Sequence, residues 1–340
     1  MVRGRVARLG LGVLLWTIAT VGSGGQTKAS DSDAKRNDQK EFTIETTSRL
    51  VLLDVSVKDA AGGFVSGLNK DNFQVFEDGK PQQISQFANS DIPVTAGLVV
   101  DESGSMRPKR AQVLTAALAF IHGSNPMDEM FVVNFNEKAR RGLPDEVLFS
   151  DNIQQLRAAL WEGIPEGRTA LYDAMALAIH QSDFGRQAKK ALVLISDGGD
   201  NHSQHTKQDV IHDVLSSLVT IYTVGIYDED DPEKNEAVLK NLAHISGGVF
   251  YHPSTLNEIV PICRQIAEDI RTRYTIGYIP SVEGKMERHI KVVASSPEHP
   301  KLIVRTRTSY VFPEKAATAE AAAAQAAVPG APAAAPGVAQ

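Results

Sequence analysis

Cysteine is almost missing from this chain. A single one, Cys263, stands among 340 residues, so no disulfide can form within it. Its place in the amphipathic run IVPICRQIAEDI reads as a packed core thiol, not a nucleophile. Positive charge is not in excess either: 35 Lys and Arg face 41 Asp and Glu, for a net charge of -6, and no basic cluster stands outside the N-terminus. That balance argues against a nucleic-acid-binding surface. Also missing are a G-x-S-x-G nucleophile elbow, a phosphate-cradling Walker loop and an H-E-x-x-H helix, so the sequence gives no positive support for an enzyme. The apolar run LGLGVLLWTIATV is too short to span a bilayer comfortably, and the mature chain is expected to have no membrane span.

That run is instead placed as an export signal spanning residues 1–25. Arg3, Arg5 and Arg8 precede it and the small residues SGG follow, so the mature chain is expected to start between Gly24 and Asp31. Export implies a periplasmic or extracellular protein, with an uncleaved N-terminal anchor as the alternative. Residues 26–41 are polar and charged and read as a disordered linker.

With 42% hydrophobic residues the chain can bury more than one core. Residues 42–91 alternate as strands do, with Val51, Leu53, Val55 and Val57 on one face. Asp78-Gly79 marks a hairpin between the strands Phe73–Phe76 and Gln82–Ile84. Residues 92–273 alternate strand and helix, which points to an α/β fold with a doubly wound, mostly parallel sheet. Residues 274–313 return to alternation and read as three antiparallel strands, YTIGYIP, RHIKVVASS and KLIVRTRTSYVF. Neither flank can bury a core alone, so the two are expected to pair as one small antiparallel β domain around the central one. Residues 314–340, rich in Ala, Pro and Gly, read as a disordered tail.

Within the central region, VTAGLVVDESGSM carries the chemistry. Val94 to Val100 form a near-continuous apolar run, as expected of a strand covered on both faces, and Asp101 falls where it ends. Ser103 and Ser105 follow in the turn, with a helix expected from about Lys109. A second apolar strand, KALVLIS, ends in Asp197, and the loop GRTALYD places Thr169 just before a helix over Leu171 to His180. Asp101, Ser103, Ser105, Thr169 and Asp197 then form one oxygen cluster at adjacent strand ends. Such a donor set suits a hard dication, which takes oxygen ligands in near-octahedral geometry. Each residue also has an ordinary reading, as a helix cap or an Asp-Gly turn.

These three segments, D-x-S-x-S, G-x-T-x-L-x-D-A and a strand ending S-D-G, resemble the metal-ion-dependent adhesion site of von Willebrand factor type A domains, the module also found in integrins. The resemblance covers Ile92 to about Thr272. It implies that Ser103, Ser105 and Thr169 contact the metal directly or nearly so, and that Asp101 and Asp197 act partly through water. It implies Mg²⁺ as the ion, with Mn²⁺ and Ca²⁺ as alternatives, and a protein partner that offers an Asp or Glu carboxylate. The order of the strand LVLLDVSVKD, the hairpin ending FEDGKPQQI, this domain and a terminal strand set also resembles bacterial secreted proteins described especially from Acidobacteria.

The expected function is thus an exported, metal-dependent, adhesion-type protein-binding module. Two alternatives stand beside it: an envelope component in which the metal only stabilises the fold, and a Mg²⁺-dependent phosphohydrolase. His202 and His205 lack further zinc ligands at suitable spacing, and the acidic run Asp228 to Glu233 lacks the spacing of a calcium loop. Glu102 adds an acid whose direction the sequence leaves open.

Overall fold

The computed structural model describes residues 50–312, apart from 162, 164, 228–231, 233 and 281–285. The proposed export signal, linker and tail, residues 42–49, the turn around Gly284 and most of the acidic run at 228–233 lie outside the described residues.

The chain enters with β1 (Val51–Asp59), β2 (Phe73–Glu77), β3 (Lys80–Gln82) and β4 (Ile84–Ala88). Strand β5 (Val94–Asp101) then opens the central domain, followed by α1 (Arg110–Gly123), β6 (Glu129–Phe135), β7 (Ala139–Arg141) and α2 (Ile153–Trp161). After α3 (Leu171–Asp183) come β8 (Lys189–Ser196), α4 (Lys207–Ser216), β9 (Val219–Gly225), α5 (Glu236–Ser246), β10 (Phe250–Tyr251) and α6 (Ile259–Thr272). Strands β11 (Tyr274–Tyr278), β12 (Glu287–Ala294), β13 (Leu302–Arg305) and β14 (Ser309–Val311) close the described chain.

The central sheet has the order β10-β9-β8-β5-β6-β7, parallel throughout except for the edge strand β7. Every residue of β5 is buried, as its near-continuous apolar run requires of a middle strand covered by helices on both faces. The chain leaves β5 for β6 on one side, whereas β8 lies on the other, so the connections diverge between the carboxyl ends of β5 and β8. In doubly wound sheets that divergence is where ligands bind. Helix α6 packs along α1 through Ile259, Cys263, Ile266, Ala267 and Ile270, one apolar stripe at helical spacing. Burial pushes the Cys263 thiol up to about 12, which leaves it inert at neutral pH.

Two further antiparallel sheets have the orders β13-β1-β11-β4 and β14-β12-β2-β3. Each holds strands from before and after the central domain: β1 pairs with β11 and β13, and β2 pairs with β12. Leu53, Val55, Val75, Tyr274, Ile276 and Val292 contribute to one shared core. The Asp78-Gly79 turn has φ of 48° and 78°, the left-handed pair that a two-residue hairpin requires.

Two strand boundaries differ from the sequence reading. Ile84 does not extend the hairpin but begins β4, which pairs with β11 in the other sheet. The run KLIVRTRTSYVF is two strands in different sheets, β13 and β14. The break falls where the backbone of Thr306 and Arg307 presses on Gly247, at the carboxyl end of α5, so closely that a Cβ there would collide with Arg307 N. Gly247 also holds φ of 83° as the cap of α5, so glycine is required twice over.

Candidate metal centre

Asp101 ends β5 and is 3% exposed. Both its carboxylate oxygens are engaged: Oδ1 accepts the Ser103 N–H at 2.8 Å, and Oδ2 accepts the Ser196 hydroxyl at 2.6 Å. The first bond folds the chain into the turn that carries the serines. The second ties the end of β5 to the end of β8. Ser103 Oγ and Ser105 Oγ then stand 3.1 Å apart, and Ser105 donates to Asp197 Oδ2 at 2.6 Å. The other oxygen of Asp197 accepts Gly199 N–H at 3.0 Å.

Thr169 arrives on the loop before α3, which is bonded to both neighbouring loops. Gly104 N–H donates to Gly167 O at 3.2 Å, while Asn201 and His202 N–H donate to Thr169 O at 3.0 and 3.1 Å. Thr169 N–H donates in return to Asn201 Oδ1 at 2.9 Å. Ser103, Ser105, Thr169 and Asp197 thus line one shallow cavity of about 140 Å³, with Arg168 and Asn201 on its wall. Asp101 lies behind that wall, reaching it through Ser103.

The helix-cap reading of the hydroxyls fails on geometry. Ser103 precedes a 3-10 turn over Gly104–Lys109 without a side-chain cap bond, and the cap position before α3 is Ala170, whose side chain caps nothing. The free N–H groups of α3 are taken by the distant loop instead: Tyr172 N–H donates to Asp200 Oδ1 and Ser203 Oγ, and Asp173 N–H to Ser203 Oγ. The hydroxyl of Thr169 is therefore spared for the cavity. Asp197 does keep its turn bond to Gly199, but only one oxygen is spent on it.

Burial, and then the charge of Asp197, push the Asp101 carboxyl up to about 7, against the lowering effect of the bonds from Ser103 and Ser196. Two acids and three hydroxyls held this close carry a repulsion that a dication relieves, so the donor set fits a hard divalent metal. Among the described residues no group of three or more His, Cys, Asp or Glu could hold a metal, so hydroxyls are indispensable to any centre here.

Glu102 turns away from the cluster. Its buried carboxylate meets Arg140 at 3.0 Å and Arg110 at 3.8 Å. His205 pairs with Asp173 at 2.7 Å, and Lys189 is buried beside Asp54, at the opposite end of its strand. The sequence reading did not single out Ser196, Asp200, Asn201 or Ser203. Their signal was the polar run S-D-G-G-D-N-H-S directly after an apolar strand.

The sequence profile of the von Willebrand factor type A domain matches residues 97–199. A search of the curated proteins gives no match. Among solved structures, a von Willebrand factor type A protein from Catenulispora acidiphila is similar at 15% identity, covering 81% of this chain and 77% of that one with a TM-score of 0.47. An aerotolerance-related membrane protein from Bacteroides fragilis is 17% identical over 52% of this chain and 98% of its own, with a TM-score of 0.41. Proximal thread matrix protein 1 from the mussel byssus, with a zinc-occupied metal-ion-dependent adhesion site, is 13% identical over 53% and 48%, with a TM-score of 0.44. Among the described residues no helix is long and apolar enough to cross a membrane. The match over 97–199 takes in most of β5, all of β8 and Asp101, Ser103, Ser105, Thr169 and Asp197, and it identifies this segment of the central domain as von Willebrand factor type A.

Proposed function

We propose that this chain is an exported protein-binding module whose grip on its partner depends on a divalent metal, Mg²⁺ foremost, held by Ser103, Ser105, Thr169, Asp101 and Asp197. The observation that carries this reading is the gathering of Ser103, Ser105, Thr169 and Asp197 along one cavity, with Ser103 bonded to Ser105 and Ser105 to Asp197, and no capping duty to explain the hydroxyls. Ser103, Ser105 and Thr169 hold the ion without neutralising it; Asp101 and Asp197 balance its charge from behind and beside. When bound, the ion supplies an electrophilic position that an Asp or Glu of a partner protein completes. Arg168 on the cavity wall adds positive charge that favours such a carboxylate. Export rests on the arginines and apolar run of the first residues.

The chain's own residues favour binding over turnover. A metal-dependent phosphohydrolase needs a general base or nucleophile at the ion, and neither His205, bonded to Asp173, nor Lys189, buried at the far end of β8, stands on the cavity wall. The test is a pull-down from the native extracellular fraction with immobilised full chain in Mg²⁺ and in EDTA, beside an Asp197→Ala chain. Protein captured only with Mg²⁺ and only by the unaltered chain supports the reading. Equal capture in EDTA removes the metal from the mechanism, and phosphate release from a generic phosphomonoester would make the chain an enzyme.

A further inference from the structure

A buried guanidinium stands at the junction of the central domain and the flanking strands without a carboxylate of its own among the described residues. Arg307, between β13 and β14, is 5% exposed. Its Nη2 reaches Val214 O only at 3.5 Å, and its Nη1 has no hydrogen-bond partner among the described residues. The side chain borders a small cavity of about 10 Å³, whose wall also carries Asp54, Lys189, Thr220 and Thr275. That is room for a single water molecule or one small ion.

The charges around it do not balance. Lys189, 4% exposed, lies 3.6 Å from Asp54 Oδ1 and donates to Arg273 O at 3.3 Å. Arg273 is matched to Asp269 at 3.0 Å. Asp54 serves Lys189 and Asp269 serves Arg273, so Arg307 is the positive charge in excess. A buried charge with no counter-charge is strongly destabilising, and buried donors in folded proteins nearly always find a partner. Burial pushes this guanidinium down to about 10, with Asp54 only partly opposing, which is still far too high for it to shed its proton at neutral pH.

We propose that this cavity binds a small monovalent anion of the size of chloride, held by Arg307 Nη1 and Lys189. A water molecule would satisfy the N–H but leave the charge unmatched. A phosphate or sulfate is too large for the space, and Asp54 on the same wall disfavours a second negative charge. The ion completes the polar contacts by which β1 and the segment after β13 are fixed to β8 and β9.

The test uses the full chain in EDTA, so that the metal centre plays no part. Melts in sodium chloride and sodium bromide are compared with sodium gluconate at equal ionic strength, since gluconate cannot enter the cavity. A higher Tm in both halides is expected, and the difference should vanish in Arg307→Met, which removes the charge the ion answers. Should that variant fail to fold, crystals soaked in bromide decide: an anomalous peak within hydrogen-bond reach of Arg307 Nη1 is expected. Water in the cavity without anomalous signal, or equal melts of the unaltered chain in all three salts, would overturn the proposal.

Discussion

Ser196 donates its hydroxyl hydrogen to Asp101 Oδ2 at 2.6 Å, joining the last residue of β8 to the last residue of β5. This bond spans the divergence point of the sheet and fixes the carboxylate on which the turn of Ser103 is folded. Ser196 is itself absent from the cavity wall, so its effect on an ion passes through Asp101.

Ser196→Ala should therefore weaken Mn²⁺ binding by about 10–100-fold, as is usual for groups that orient ligands from behind. Calorimetric titration of the full chain with Mn²⁺ measures it. Unchanged affinity would mean that Asp101 needs no such orientation, or that the ion binds elsewhere.

Thr169 and Ser203 separate the metal role from the capping role. Ser203→Ala removes the acceptor for two N–H groups of α3 and should cost about 1 kcal/mol of stability with or without metal. Thr169→Ala, whose hydroxyl caps no helix N–H, should cost less than Ser203→Ala in EDTA but lose most of the rise on adding Mg²⁺. Urea melts in both conditions distinguish the two. A Thr169→Ala chain destabilised in EDTA as much as Ser203→Ala would restore the capping reading.

Asp269 anchors the other end of the domain. It accepts the Ser56 hydroxyl at 2.8 Å from β1 and the Tyr222 hydroxyl at 2.6 Å from β9, and it pairs with Arg273. Burial alone would raise its pKa, but Arg273 and the two hydroxyls outweigh it and hold the carboxyl below the usual carboxylate range. A depressed carboxyl stabilises the fold above the unfolded pKa of about 4, and that contribution disappears as pH falls through the lower folded value. Acid unfolding should thus involve this group, and Asp269→Asn should flatten the pH dependence of stability below about pH 4. By leaving Arg273 unmatched, the same variant should cost about 3–5 kcal/mol at neutral pH. An acid transition of unaltered shape would show that Asp269 takes no part in it.

The central sheet was legible because its strands are buried on both faces, and Val94–Val100 and Ala191–Ile195 are written as continuous or nearly continuous apolar runs. The alternation Val51, Leu53, Val55, Val57 was equally plain, since one face of β1 meets the core and the other does not. The residues proposed for the metal drew attention because hydroxyls and acids at strand ends stand out against such runs. What stayed hidden depends on contacts far apart in sequence. The break of KLIVRTRTSYVF at Thr306–Thr308 follows from packing on Gly247, and no residue in the run itself announces it. Glu102 could not be placed without Arg140, 38 residues on. Asp200 and Ser203 cap a helix that begins some 30 residues earlier, so local cap signals before α3 pointed to Thr169 instead.

The central claim is tested most directly by thermal melts of the full chain in Mg²⁺, in Mn²⁺ and in EDTA, beside Asp101→Ala. A cation at about a hundred times its dissociation constant should stabilise the unaltered chain by about 2.7 kcal/mol, and Asp101→Ala should lose that rise. A melt that does not move at millimolar cation, or that moves equally in Asp101→Ala, would contradict a metal centre built on Asp101, Ser103, Ser105, Thr169 and Asp197.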